Sequence, residues 1–206
     1  MMQYIQRQKQ NALTVVNHFN FFLFNRMNYL QDISNYKNHS DWLPIVASVL
    51  LIEVYVIFRT MYSKSTGQLM YRWYLDFGLV AVLSDVLILL IGFIIVRYLY
   101  KLYIFPKYGF NPALFIAILL GVQIIHDLAY YFLIVQQLPR GANTLIDFMK
   151  DYGKDYKASA IIGDSLIFVF CTLVAMILKG YSPEISITTI IVSLYLIQYS
   201  LTTRRQ

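Results

Sequence analysis

Five stretches of apolar residues, separated by polar segments rich in tyrosine and basic side chains, divide the chain. They run over 42–60, 74–96, 111–135, 158–178 and 183–201. Each is long enough to cross a hydrocarbon core of about 30 Å, which takes roughly 20 helical residues. Their starts carry helix signals. Asp41 precedes the first stretch, with Pro44 in its first turn, while Asn111-Pro112 and Ser182-Pro183 each set a capping residue before a proline at the first helical position. The fifth stretch is the most polar of the set.

Outside these stretches the periodicity is amphipathic. In the amino-terminal segment, 1–41, Val15, Phe19, Phe22 and Leu23 recur at helical spacing, as in a helix lying in the membrane interface or packed on the bundle. Arg7 and Lys9 followed by apolar residues resemble a signal peptide only superficially. Asn17, His18 and Asn20 break the run, and no small-residue cleavage site follows. Between the third and fourth stretches, Leu138-Pro139-Arg140-Gly141 signals a turn and Asn143 is placed to cap a surface helix over about 143–157. Leu145, Ile146, Phe148, Met149 and Tyr152 give that helix an apolar face, which points to the membrane surface. A polar tail, 202–206, ends the sequence.

Composition makes lipid the solvent for this pattern. Of 206 residues 58% are apolar and 14% charged, against about 25% charged in soluble domains; the mean hydropathy is +0.55. The expected fold is therefore all-α: an integral membrane helical bundle over 42–201 with about five transmembrane helices, plus amphipathic interfacial helices. The formal net charge of +6 sits in the polar segments, where Lys and Arg meet headgroups, so nucleic acid is not an expected partner. The expected partners are the lipid bilayer, further copies of the chain and other membrane proteins. Cys171, the only cysteine, lies inside an apolar stretch and reads as a small buried side chain. Tyr62, Tyr71, Trp73, Tyr98, Tyr100, Tyr103 and Tyr181 fall where an interfacial aromatic belt would sit. Orientation does not emerge, because five spans put eight bases on one side and nine on the other.

The acids are distributed differently from the bases. Five of the eleven, Glu53, Asp76, Asp85, Asp127 and Asp164, lie within apolar stretches, whereas among the bases only Arg59 reaches an edge. A carboxylate near mid-bilayer costs about 2.5–3.5 kcal/mol on insertion scales, so such residues face the bundle interior and often have a task. Glu53 and Asp85 fall near the midplane of adjacent antiparallel helices and can face each other; one or both are expected to be protonated or to share a cation. Gln123, His126, Asp127 and Tyr130 line one stripe of the third helix by their spacing. Asp164 and its neighbour Ser165 reach comparable depth across the hairpin. Asp76 lies near a span end and is easily set aside.

Enzyme signatures do not hold. Gly163-Asp164-Ser165-Leu166 spells a lipase signature, yet it opens an apolar helix and no histidine follows His126. A retinal Schiff base needs a lysine in the last span, and none is present. Asp147, Asp151 and Asp155 share one helix face, but interleaved lysines make it a solvated, charge-balanced surface rather than a metal site. No catalytic residue, metal or cofactor is indicated.

Over about forty residues, 126–165, the sequence reads HD-x2-YYFL, then LPRGANTLIDFMKDYGKDY, then KASAIIGDS. This resembles a group of uncharacterised polytopic membrane proteins of large double-stranded DNA viruses of protists and algae. The resemblance implies a viral membrane protein, of the virion's internal membrane or a modified host membrane, and no catalytic residues. It implies that the group shares Asp127, Pro139, Gly141, Asn143, Asp147, Lys150, Tyr152, Gly163 and Asp164.

Three functions remain open on the sequence. The first is a non-enzymatic structural or interaction component, its acids hydrogen-bonding between helices at about 1 kcal/mol each. The second is a small proton or cation transporter or channel using Glu53, Asp85, His126, Asp127 and Asp164. The third, an enzyme acting on lipid within the membrane, rests only on the proximity of His126-Asp127 and Asp164-Ser165.

Overall fold

The computed structural model describes residues 30–63, 67–156 and 158–203. Seven helices of ten or more residues carry them: α1 Trp42–Tyr62, α2 Gln68–Phe77, α3 Leu79–Leu99, α4 Pro112–Tyr130, α5 Thr144–Tyr156, α6 Ala158–Leu178 and α7 Pro183–Thr202. α3 and α4 run on through wider π turns, so helix is continuous over Leu79–Tyr108 and Pro112–Val135. Among the described residues there is no strand. The expected amphipathic helix around Val15–Leu23 and the bases Arg204 and Arg205 lie outside the described residues.

Five helices, His39–Tyr62, Leu79–Tyr108, Pro112–Val135, Ala158–Leu178 and Pro183–Thr202, are long and apolar enough to cross a membrane. Their outer surfaces suggest the same location. Leu79, Leu83, Leu87, Ile91 and Ile94 on α3 are all exposed, as are Ile191, Leu194 and Tyr195 on α7. Soluble monomers rarely expose contiguous apolar surface of this extent.

The second apolar stretch is not one span from Tyr74. Gly78 takes φ +53°, a left-handed conformation that only glycine adopts without strain, and it divides α2 from α3. The spanning helix starts at Leu79, and Trp73, Tyr74 and Asp76 belong to a separate short helix. Hydropathy alone gave no reason to stop there. Asp76 is exposed on α2, where Arg72 donates to it at 3.0 Å.

Caps follow the sequence in part. Asn111 Oδ1 accepts from Leu114 N at 3.1 Å, and Asn143 Oδ1 accepts from the backbone N–H groups of Leu145 and Ile146 at 2.9 and 3.2 Å. Ser182, by contrast, makes no side-chain cap; its backbone is extended and Pro183 sets the first turn. The Asp41 side chain does not cap α1 either, being engaged elsewhere.

Helix α1 lies at the centre and packs on α7, α6 and α3, while α4 closes the bundle against α3 and α6. Its first half is therefore buried nearly all round, from Pro44 to Leu50. α7 meets α1 along Ser186, Ile190, Ser193, Ile197 and Ser200, a three-and-four spacing in which small residues admit close backbone approach. On α3, Gly92 faces the Phe168 ring, which reaches it from α6. A Cβ there would stand 2.7 Å from the Phe168 ring, so Gly92→Ala should lower stability by about 1–3 kcal/mol. Thermal unfolding in detergent measures this, and Phe168→Leu should restore part of the loss; an unchanged midpoint would show that the ring yields freely.

Two faces can be distinguished. At the first, where α1 begins, residues 30–41 form a strap held by α3 and α6. Arg97, fully buried, donates through Nη2 to Asn35 O at 2.6 Å, Asn38 O at 2.9 Å and Asp41 Oδ2 at 3.2 Å, and its guanidinium lies 4.8 Å from the Trp42 ring centre. Lys179 pairs with Asp41 at 2.5 Å and donates to Asp32 O. The bundle thus does hold a buried base, one residue beyond the stretch that the apolar pattern marked. Tyr100 is also buried, its hydroxyl donating to Gly109 O at 3.1 Å, rather than standing in a belt. Tyr62, Tyr98, Tyr103 and Tyr181 are exposed as a belt would require. At the second face, α2 and α5 cover the bundle, and α5 turns its apolar face onto α2, α6 and the end of α4. Cys171 is buried.

Candidate functional site: an acidic chamber in the bundle

Each of four acids, buried Glu53 and half-buried Asp85, Asp127 and Asp164, occupies a place on its helix's core stripe that periodicity would give to an aliphatic side chain. On α1 the stripe is Ile45, Val49, Glu53, Ile57; on α3 it is Ala81, Asp85, Leu89; on α4, Phe115, Leu119, Gln123, Asp127; on α6, Asp164, Phe168, Cys171, Ala175. Asp85 and Asp164 are each the seventh residue of a helix entering from the second face. At 1.5 Å per residue they lie about 10 Å along their helices. Glu53 and Asp127 come to similar depth from the opposite direction.

The four carboxyls open on one chamber of about 170 Å³ enclosed by α1, α3, α4 and α6. α2 and α5 roof it with Trp73, Tyr74, Phe148, Met149 and Tyr152, and among the described residues no lysine or arginine lines it. What the sequence presented as two clusters is one site. Glu53 and Asp85 meet at Tyr74, whose buried hydroxyl lies 3.0 Å from Glu53 Oε1 and 3.2 Å from Asp85 Oδ2. The Trp73 indole N–H donates to Asp85 Oδ2 at 2.9 Å. Neither Trp73 nor Tyr74 was legible as a donor. Trp73 reads as a belt residue in sequence, but here it is buried, with its ring against Phe77 and Phe148 at 5.2 Å between centroids.

The other half of the chamber is wired along α4. Ser165 Oγ donates to Gln123 Oε1 at 2.8 Å, Gln123 Nε2 donates to Asp127 Oδ2, and His126 Nδ1 lies 3.1 Å from Asp127 Oδ1. The His126 ring is stacked parallel to Tyr130 at 6.1 Å. Ser165 is committed to Gln123 and not to His126, so these residues form no serine–histidine relay. Asp164 differs from its neighbours. Among the described residues it has no hydrogen-bond or ion-pair partner, although Asp127 and Asp85 act on it electrostatically.

No family model, curated protein or solved structure matches the chain. What the site can do follows from its geometry. Tyr152 on α5 faces the acids: burial first, and then the negative charges of Asp164, Asp85 and Asp127, hold its phenol above the ordinary range. It remains a neutral hydrogen-bonding group beside them at physiological pH. Among the described residues no three His, Cys, Asp or Glu side chains gather into a group that would hold a metal ion.

A second hollow, about 500 Å³, adjoins the chamber between α4 and α6. Asp127, Met149, Tyr152 and Asp164 line both and form the wall between them. Tyr130 lines only this side chamber, together with Leu128, Phe132, Val135 and Ile161. Leu128 and Phe132 stand exposed at its rim.

Proposed function

We propose that the protein is a small multi-pass membrane carrier or pore whose buried acids bind protons or cations in transit. One observation carries this reading: four carboxyls from four helices open on a shared chamber that, among the described residues, no lysine or arginine lines. Acids serving only to join helices would satisfy one another's hydrogen bonds in pairs. Asp164 does not do this, and the chamber keeps space beside it. Acid chains inside membrane bundles commonly carry protons or cations.

Glu53, Asp85 and Tyr74 form the deep end of the path, and Asp127, Gln123 and His126 the end toward α4. The experiment is flux in liposomes under a pH gradient, comparing the native protein with Glu53→Gln, Asp85→Asn and Asp127→Asn. Flux in the native protein that each substitution abolishes is the expected result. No flux under any proton or cation gradient would overturn the proposal.

A structural role is the second reading, favoured by the donors Trp73, Tyr74 and Gln123 that already engage the acids. It expects no flux, and substitutions that leave stability unchanged or raised. The proposed setting, a virion membrane or a virus-modified host membrane, rests on the resemblance of residues 126–165 alone.

A further inference from the structure

The two chambers share a wall and differ in lining. The central one carries four carboxyls under a roof of aromatic rings; beyond the wall the side one is lined by aliphatic and aromatic side chains, Tyr130 and Tyr131 among them. A proton alone would leave the side chamber without a purpose. Asp164, at the junction and without a hydrogen-bond or ion-pair partner among the described residues, presents its carboxyl to both spaces. We propose that the two chambers together bind a single-chain amphiphilic amine, with its ammonium among the acids and its alkyl tail in the side chamber.

The assignment rests on the carrier reading above and names the kind of cation it takes. An ammonium supplies hydrogen-bond donors to Asp164, which has none among the described residues, and its charge is drawn to the three carboxyls beside it. A divalent metal is a poorer fit, because among the described residues no three of the ligating side chains converge. A zwitterionic phospholipid would bring a phosphate against four carboxyls. A fatty acid would add a fifth. The side chamber's exposed rim at Leu128 and Phe132 lets a tail enter from lipid, so the amine can arrive from the bilayer or from water by the same route.

The test uses the full chain in nanodiscs of phosphatidylcholine, with dodecylamine, methylamine and dodecanoate as probes. The readouts are the thermal midpoint and the Trp73 fluorescence in the background Trp42→Phe. Dodecylamine should raise the midpoint and alter the fluorescence at concentrations where methylamine and dodecanoate do neither. Asp164→Asn should weaken dodecylamine by roughly 30-fold or more, the loss expected from a desolvated charge pair. Ala160→Phe, which fills the side chamber, should weaken dodecylamine and leave methylamine unchanged. Phosphatidylethanolamine placed in the nanodisc should not compete, whereas a sphingoid base placed there should; competition by the first overturns the single-chain assignment. Equal responses to dodecylamine and dodecanoate would reduce the effect to apolar partition and overturn the proposal, as would an unaltered response in Asp164→Asn. Proton flux that Glu53→Gln abolishes, without dodecylamine binding, overturns this inference alone. Dodecylamine binding without any flux overturns the carrier reading and leaves the site.

Discussion

Asp41→Ala should lower the stability of the bundle by about 3–5 kcal/mol, the cost of stranding a buried charge. Asp41 is 1% exposed and accepts from Arg97 at 3.2 Å, Lys179 at 2.5 Å and Asn38 Nδ2 at 2.9 Å. Its removal leaves the fully buried guanidinium of Arg97 with two backbone carbonyls as its hydrogen-bond acceptors; among the described residues Nε and Nη1 have no hydrogen-bond partner even with Asp41 in place. Lys179 remains partly exposed and can turn to water, so the penalty falls on Arg97. Denaturant titration in a mild detergent gives the magnitude. The double variant Asp41→Leu, Arg97→Met should recover most of it, since an uncharged pair has nothing to desolvate. If the single substitution costs less than about 1 kcal/mol, the typical worth of an exposed pair, water reaches the guanidinium and the strap is not sealed.

Trp73→Ala should cost about 3–5 kcal/mol as well, for a different reason. It deletes a buried ring that joins α2 to Phe77 and Phe148, and it removes the N–H that Asp85 accepts. Trp73→Phe separates the two contributions. A smaller aromatic ring remains and the hydrogen bond goes, so the loss should fall to about 1–3 kcal/mol. In the background Asp85→Asn the Phe substitution should cost less still, because the acceptor has changed along with the donor. Additivity in that cycle would mean that the indole and the carboxyl do not interact.

The spans and the acids were legible because both are periodic signals. Apolar runs of about 20 residues leave few alternatives to a membrane helix, and Glu53, Asp85, Asp127 and Asp164 declare themselves by sitting where an aliphatic residue belongs. Their convergence on one chamber was not legible, since helix phase tells which way a residue faces but not which neighbour it meets. The break at Gly78 escaped for a similar reason. Tyr74–Phe77 is apolar enough to extend the run, and only the backbone conformation separates it from Leu79. Trp73 and Tyr74 were consequently placed at a span end. Arg97 was missed by a single position, because basic residues beside a span usually reach headgroups. Nothing local in the sequence says that the strap of residues 30–41 folds back to cover this one.

The turn at Gly78 has a consequence for how the chain is made. Trp73 and Tyr74 lie only 12 and 11 residues before Asp85, on the other arm of the same turn. The donors and the acid therefore belong to one short, contiguous piece of chain. They can meet before any other helix is in place. A carboxyl that would otherwise cross into hydrocarbon bare can be delivered with its hydrogen bonds already made, which reduces the insertion penalty at its source. Glu53, reached by Tyr74 from 21 residues downstream, must wait until that piece arrives.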